Sequence, residues 1–437
     1  WTGTMNLTEP QCGTDLGLSK TMATPNEDGS YDITGTKIFI TCGEHDLSEN
    51  VIHLVLARTP NAPEGIKGIS LFLVPKIIPN NDGELKNANN VKCGSIEKKM
   101  GIKASPTCVM HYEDAKGWLV GDLNKGMKAM FIMMNGARLF VGIQGIGLSE
   151  TAYQSALHYS KERAQGKLPN SKNIADPIIV HPEIRKNLMF MKSINDGIRG
   201  LMLKAGYAFD LIDSNQNKEL NESSENLISL LTPILKSFAT DKAMEITNHA
   251  LQIYGGHGYI TDHGMEQLVR DARITPIYEG TNGIQALDLI GRKFNIHNGL
   301  IINQYLEEIN AFLDNTNGNE KMQKFIKLFE YSYKDLKECI DFIKKIEITN
   351  IQEINSHAVD FLNIFALVAV GFTWLQFINI SLNKIDDNKD DFYLSKIQLG
   401  DFYLTKVIFE TKKYKNNIYS SGILYNEFSD KYFESGI

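Results

Sequence analysis

The stretch LISLLTPILKSF, Leu227 to Phe238, spaces Leu227, Leu230, Leu231, Ile234, Leu235 and Phe238 three and four positions apart. That spacing puts them on one face of an α-helix. Met191, Ile194, Ile198, Leu201 and Ala205 repeat the pattern upstream. Such stripes are stable in water only when buried against one another. From Gly126 to Lys293 the chain therefore reads as about four long antiparallel helices. Polar segments such as Ser214 to Glu225 read as connections. Pro233, which lacks an N–H, reads as a kink.

N-terminal to the bundle, from Thr4 to about Lys116, the pattern is β. Ile33 to Thr41, Val51 to Arg58 and Gly68 to Val74 are short runs rich in β-branched and aromatic residues. Asp28-Gly29 and Asn61 to Gly65 supply turns between them. C-terminal to the bundle, the composition shifts to Asn, Ile, Lys and Tyr, and residues 294–437 hold 15 lysines, no arginine and 20 acids. The expected class is α+β. An antiparallel β domain spans 1–116, an antiparallel four-helix bundle 117–293 and a helical, acidic C-terminal extension 294–437. Phe361 to Asn383 is uncharged and long enough for a bilayer. Asn363, Gln376, Asn379 and Asn383 interrupt it, so it reads as a buried or interface helix rather than a membrane span.

With 437 residues, 43% hydrophobic and 22% charged, the chain is an ordinary globular protein of several domains. A net charge of −7 argues against binding nucleic acid by neutralising phosphates, and favours a small-molecule enzyme. Cys12, Cys42, Cys93, Cys108 and Cys339 are odd in number and form no CxxC pair, which points to a reducing, cytoplasmic setting. The sequence opens at Trp1 in what reads as the interior of a domain, so a preceding part is expected.

No GxGxxG or GxxxxGK fingerprint occurs, so any nucleotide must be held differently. His257 and His263 lie in a glycine-rich loop without a carboxylate or thiolate partner, and read as polar loop residues rather than metal ligands. Thr8-Glu9-Pro10-Gln11-Cys12-Gly13-Thr14-Asp15 is either a plain turn or a nest of donors for a polar ring or phosphate. Phe39 and Thr41 share a strand face and suit either the core or stacking on a flat cofactor. Glu279, in Ile277-Tyr278-Glu279-Gly280-Thr281-Asn282, is either a solvated carboxylate or, among its apolar neighbours, a desolvated general base.

Together, Thr8 to Asp15, Lys37 to Gly43, Arg138, Glu162 to Gly166, Gln252 to Gly258, Arg270-Asp271-Ala272 and Tyr278 to Thr281 resemble, in order and spacing, the acyl-CoA dehydrogenase family. Trp1 to Met5, Gly43 to Asp46, Pro60 to Pro75 and the long tail resemble its bacterial, C-terminally extended branch. That branch includes 3-methylmercaptopropionyl-CoA and broad-range long-chain dehydrogenases. The resemblance implies FAD between the β domain and the bundle, with an N-terminal helical domain absent here. It implies that Met5, Leu7, Thr8, Gly13, Thr14, Phe39, Ile40 and Thr41 line the flavin, Phe39 standing where many relatives have Trp. Arg163, Gln165, Gln252, Gly255 and Gly256 would hold the pyrophosphate and adenosine side across subunits, making at least a homodimer. Thr281 would also contact the cofactor, and Gly283 lacks a side chain that relatives use there.

The same resemblance implies that Glu279 is the catalytic base for α,β-dehydrogenation of an acyl-CoA, with its N–H and a ribityl hydroxyl stabilising the thioester oxygen. Ala137 cannot be a base, although some relatives place theirs at the matching position. Thr14, Asn135, Arg138, Tyr278 and Gly280 would contact the substrate, with a structural salt bridge the competing reading for Arg138. An electron-transfer flavoprotein is the implied acceptor. An acyl-CoA oxidase of the same fold and a DNA-associated flavoprotein are the alternatives, the acidic tail arguing against the latter.

Overall fold

The computed structural model describes residues 1–214, 217–346, 350–385, 390–420 and 422–435. The chain divides into two compact units, Trp1–Ala137 and Arg138–Ile437.

Unit 1 is a β domain. Its strands are β1 (Thr2–Asn6), β2 (Met22–Pro25), β3 (Tyr31–Thr41), β4 (Val51–Arg58), β5 (Ile69–Pro75), β6 (Ile77–Pro79), β7 (Leu85–Ala88), β8 (Val91–Ile96) and β9 (Thr107–Val120). The main sheet runs β1-β4-β2-β3-β9-β5, with β8 on β9, and β5 also pairs with β4, so the path closes on itself. Pairing is antiparallel except where β4 meets β1 and, at Met22 and Arg58, β2. Ile33, Val55, Phe72, Val74, Met110 and Tyr112 fill the interior. Two bulges interrupt β3 where it pairs with β9, one of them between Lys37 and Ile40. An extra residue there re-aims its side chain. Phe39 takes a left-handed φ of 60° and stands 60% exposed, while Ile40 is 2% exposed. A core role for Phe39 is thereby excluded.

Beneath that bulge Lys37 and Glu9 form a buried ion pair, Nζ to Oε1 at 2.8 Å. The carboxylate also accepts from the Ser19 and Thr21 hydroxyls and from the backbone N–H of Lys20 and Thr21. Lys37 Nζ donates in addition to the Leu7 carbonyl at 3.0 Å. Burial pushes the Glu9 carboxyl up, but the Lys37 ammonium and these donors outweigh it and hold it at about 2.

The first helix, α1 (Gly126–Glu162), starts in unit 1 and continues into unit 2. Unit 2 contains α2 (Pro182–Ser214), α3 (Lys218–Tyr254), α4 (Met265–Ala272) and α5 (Asn282–Leu287). They are followed by α6 (Leu300–Thr316), α7 (Gln323–Lys345), α8 (Ile351–Ser356), α9 (Ala358–Ile385), α10 (Asp391–Phe402), α11 (Thr411–Tyr419) and α12 (Ile423–Glu427). Most of the expected connection Ser214 to Glu225 is instead helix. Asn217 caps α3 by accepting from the N–H groups of Glu219 and Leu220, and the polar residues after it lie largely on the exposed face. Residues 215–216 lie outside the described part. The helix runs through Pro233, so the missing N–H does not end it.

One hydrophobic core extends from Leu139 to Ile418 and takes in both the bundle and the tail. The uncharged stretch lies in α9, whose residues from Phe361 to Leu375 are buried except Asn363. α9 packs on α2, where Gly197 and Gly200 admit Val370, Trp374, Thr373 and Phe377; a Cβ at Gly200 would meet Phe377 Cζ at 2.4 Å. Trp374 is fully buried and its Nε1 donates to the Ser193 carbonyl at 3.0 Å. α1 and α9 are each long and apolar enough to cross a membrane.

Because the Glu9 carboxyl is depressed by folding from the ordinary 4.5 to about 2, its stabilisation is complete above 4.5 and vanishes as pH falls toward 2. Glu9→Gln is expected to cost about 3–5 kcal/mol at neutral pH by stranding the Lys37 charge. The gap to wild type should narrow across that acid window. Urea unfolding followed by far-UV circular dichroism measures both.

Candidate active site

Glu279 lies on the loop between α4 and α5. Ile274 accepts from the N–H groups of Ile277 and Tyr278, and Pro276 from that of Asn282, which ties the loop into a tight turn. The Thr281 hydroxyl then accepts from the Ile284 N–H and caps α5. Within the turn Glu279 has φ 55° and Gly280 φ 85°. Left-handed φ is free for glycine but costs a residue with a Cβ about 1–2 kcal/mol. Surrounding contacts must hold Glu279 there.

Those contacts reach the turn's carbonyls. Arg138 Nε, from α1, donates to Glu279 O at 3.4 Å. Lys236 Nζ, from α3, donates to Gly280 O at 2.8 Å and to Asn282 Oδ1 at 2.9 Å. Gln285 Nε2 makes longer bonds to both carbonyls, at 3.3 and 3.4 Å. Among the described residues no acceptor takes the Glu279 N–H. Tyr278 is tethered through its hydroxyl to the side-chain oxygen of Gln144.

Burial pushes the half-buried Glu279 carboxyl up from its ordinary value; the Arg138 and Lys236 cations oppose this without cancelling it. The reading of Glu279 as a freely solvated surface group is thereby excluded. Arg138 is 6% exposed and Lys236 wholly buried. Burial lowers the Lys236 ammonium to about 8, against the pull of Asp241 and Glu279.

The remaining site residues form two further groups. In unit 1, Met5 ends up on β1, beside β4, and the Ile38 N–H donates to Thr8 O at 2.9 Å, which lays Leu7 and Thr8 beside Phe39, Ile40 and Thr41. Gly13 and Thr14 are exposed just past the Glu9–Cys12 bridge. Asn135 is exposed on α1. In unit 2, Arg163 and Gln165 are exposed at the end of α1, and Gln252, Gly255 and Gly256 are exposed at the end of α3. Stacked Tyr159 and Tyr254 rings, 4.1 Å apart, bring those two ends together, and the Tyr159 hydroxyl bonds His257 Nδ1 at 2.8 Å. Thus the loop histidine has a tyrosine partner. Sequence reading missed Lys236, Gln144, Asn282 and Gln285. The available signal was Lys236 itself, the single charge within an otherwise uncharged stretch of α3.

A family model for the acyl-CoA dehydrogenase middle domain matches residues 4–115, and one for the acyl-CoA dehydrogenase C-terminal domain matches 124–294. A third, acetyl-CoA dehydrogenase C-terminal like, matches 305–422. Butyryl-CoA dehydrogenase of Syntrophomonas wolfei is 33% identical over 423 residues, covering 93% of this chain and 69% of that protein. This chain belongs to the acyl-CoA dehydrogenase family.

Its 3-methylmercaptopropionyl-CoA dehydrogenase relative from Ruegeria pomeroyi is 48% identical over 312 residues, 71% of this chain. The chain spans about half of that relative, 53% of its length. The acyl-CoA dehydrogenase of Bacillus anthracis, solved complexed with FAD, shares the fold at TM-score 0.76 and 21% identity, over 98% of this chain and 70% of that one. The match over 305–422 and the S. wolfei coverage bear out the extended branch of the family.

Within this family member, Gly280→Ala is expected to destabilise unit 2 by about 1–2 kcal/mol through its left-handed φ alone. The added Cβ would also stand 2.7 Å from Gln285 Nε2. An unchanged thermal midpoint would refute this account of the turn.

Proposed function

We propose that the protein dehydrogenates an acyl-CoA thioester to the trans-2-enoyl-CoA, with Glu279 as the base that removes the α-proton. The observation that carries this reading is a half-buried carboxylate of raised pKa on a left-handed turn whose carbonyls are tied back by buried cations. Desolvation makes Glu279 a stronger base than a surface carboxylate, and burial of Arg138 and Lys236 fixes where it points. The unpaired Glu279 N–H is a donor available to the thioester oxygen, where charge develops as the proton leaves. Tyr278 and Gly280 form the adjoining wall, and Arg138 orients the turn. Asn135 and Thr14 are proposed as further substrate contacts.

The residues present fit FAD. Phe39 is held exposed by its bulge beside Thr8 and Thr41, as stacking on a flat ring requires. Met5, Leu7, Thr8, Gly13, Thr14, Phe39, Ile40, Thr41 and Thr281 are proposed to hold the flavin portion. Bound FAD supplies the acceptor for the β-hydride. Arg163, Gln165, Gln252, Gly255 and Gly256 are proposed for the pyrophosphate and adenosine of a partner subunit's FAD. Arg163 lies roughly 25 residues beyond Arg138, about 37 Å along α1 at helical rise. That separation supports a shared cofactor and hence at least a homodimer. An electron-transfer flavoprotein is the proposed acceptor; rapid oxygen consumption by reduced enzyme would favour an acyl-CoA oxidase instead.

Glu279→Gln is expected to retain flavin and lose about 10²–10⁴-fold in kcat. Activity within tenfold of wild type would overturn the assignment. Since Glu279 acts only as the carboxylate and its pKa is raised, kcat should fall as pH drops through a limb above the ordinary 4.5. A pH–rate profile in which that limb lies at or below 4.5 would contradict the burial argument.

A further inference from the structure

Lys236 takes no part in the proton transfer set out above, yet it is wholly buried, and an ammonium is costly to bury unless paired. Its pairing is indirect. Nζ donates to Asn282 Oδ1 at 2.9 Å, and Asn282 Nδ2 donates in turn to Asp241 Oδ1 at 2.8 Å. An amide thus bridges the buried cation to an exposed carboxylate one turn further along α3. Asn282 is held by more than this bridge, since Nδ2 also donates to Thr240 Oγ1 at 2.9 Å and Ser237 O at 3.2 Å. Another Lys236 proton goes to the Gly280 carbonyl. The ammonium therefore ties α3 to both sides of the Thr281 cap: the turn before it and the first residue of α5.

We propose that Lys236, bridged through Asn282 to Asp241, is a positioning residue that holds the Glu279–Gly280 turn in its left-handed conformation and favours the ionised form of the base. This rests on Glu279 being the base. The charged groups acting on the pair are Arg138 from α1, Asp241 from α3 and Glu279 itself. Arg138 reaches the carbonyl of Glu279 and Lys236 that of Gly280, so the two cations divide the turn between them. The division explains why a lysine sits in the apolar stretch: a shorter or neutral side chain would leave the Gly280 carbonyl and the Asn282 amide oxygen without this donor.

The test uses the flavin-loaded full chain and Lys236→Met, which keeps the bulk and removes the charge. Expected are a fall in kcat of at least tenfold with KM within threefold, and an acid limb displaced to higher pH, because one opposing cation is gone. Amide exchange of Ile277, Tyr278 and Asn282, whose N–H groups close the turn, should accelerate at least tenfold, a readout independent of turnover. Asn282→Ala, which cuts the bridge while keeping Lys236, should accelerate the same amides and carries the test should Lys236→Met not fold. Wild-type kcat, acid limb and exchange rates in a folded variant would overturn the proposal. If Glu279→Gln is inactive while Lys236→Met behaves as wild type, positioning by Lys236 alone fails; if Glu279→Gln is active, the base assignment fails and this inference with it.

Discussion

An ammonium without access to water, Lys236 Nζ, donates to the carbonyl of Gly280, and the loop carrying Glu279 is shaped around that contact. Two consecutive left-handed residues, one of them a glutamate, are not a conformation the chain adopts unaided. Pinning both carbonyls selects it. Among the described residues no acceptor takes the Glu279 N–H, and burial pushes its half-buried carboxyl up, so the one turn carries both the donor and the raised basicity.

Unit 1 uses the same device. Lys37 is buried, pairs with Glu9, and spends a further donor on the carbonyl of Leu7, next to Thr8. In each unit, then, a lysine on a regular element reaches a main-chain oxygen of an irregular loop. Loops are otherwise the most deformable parts of a fold. A buried charge–dipole contact makes such a segment nearly as rigid as the element that supplies the lysine, because breaking it leaves an ion unsolvated.

The sequence was most legible where periodicity speaks. The apolar spacing of Leu227 to Phe238 lies within α3, and β3, β4 and β5 begin and end within two residues of the runs anticipated for them. It was least legible where polar composition imitates a linker. Lys218 to Glu225 are the first turns of α3, because the face they occupy meets solvent. Phe39 illustrates another limit, for its exposure comes from a bulge that depends on the partner strand. At the candidate site, Glu279, Arg138 and Tyr278 were singled out through the family's motifs. Lys236 was not, since its function depends on Gly280 and Asn282, more than forty positions away, and no local pattern records that distance.

The glycines of α2 that receive α9 have a consequence for synthesis. Gly200 leaves the ribosome roughly 170 residues before Trp374, about 10–30 s earlier at elongation rates of about 5–20 residues per second. Throughout that interval the nascent bundle displays an unfilled apolar groove. Burial of that face waits for the segment that fills the groove to be translated.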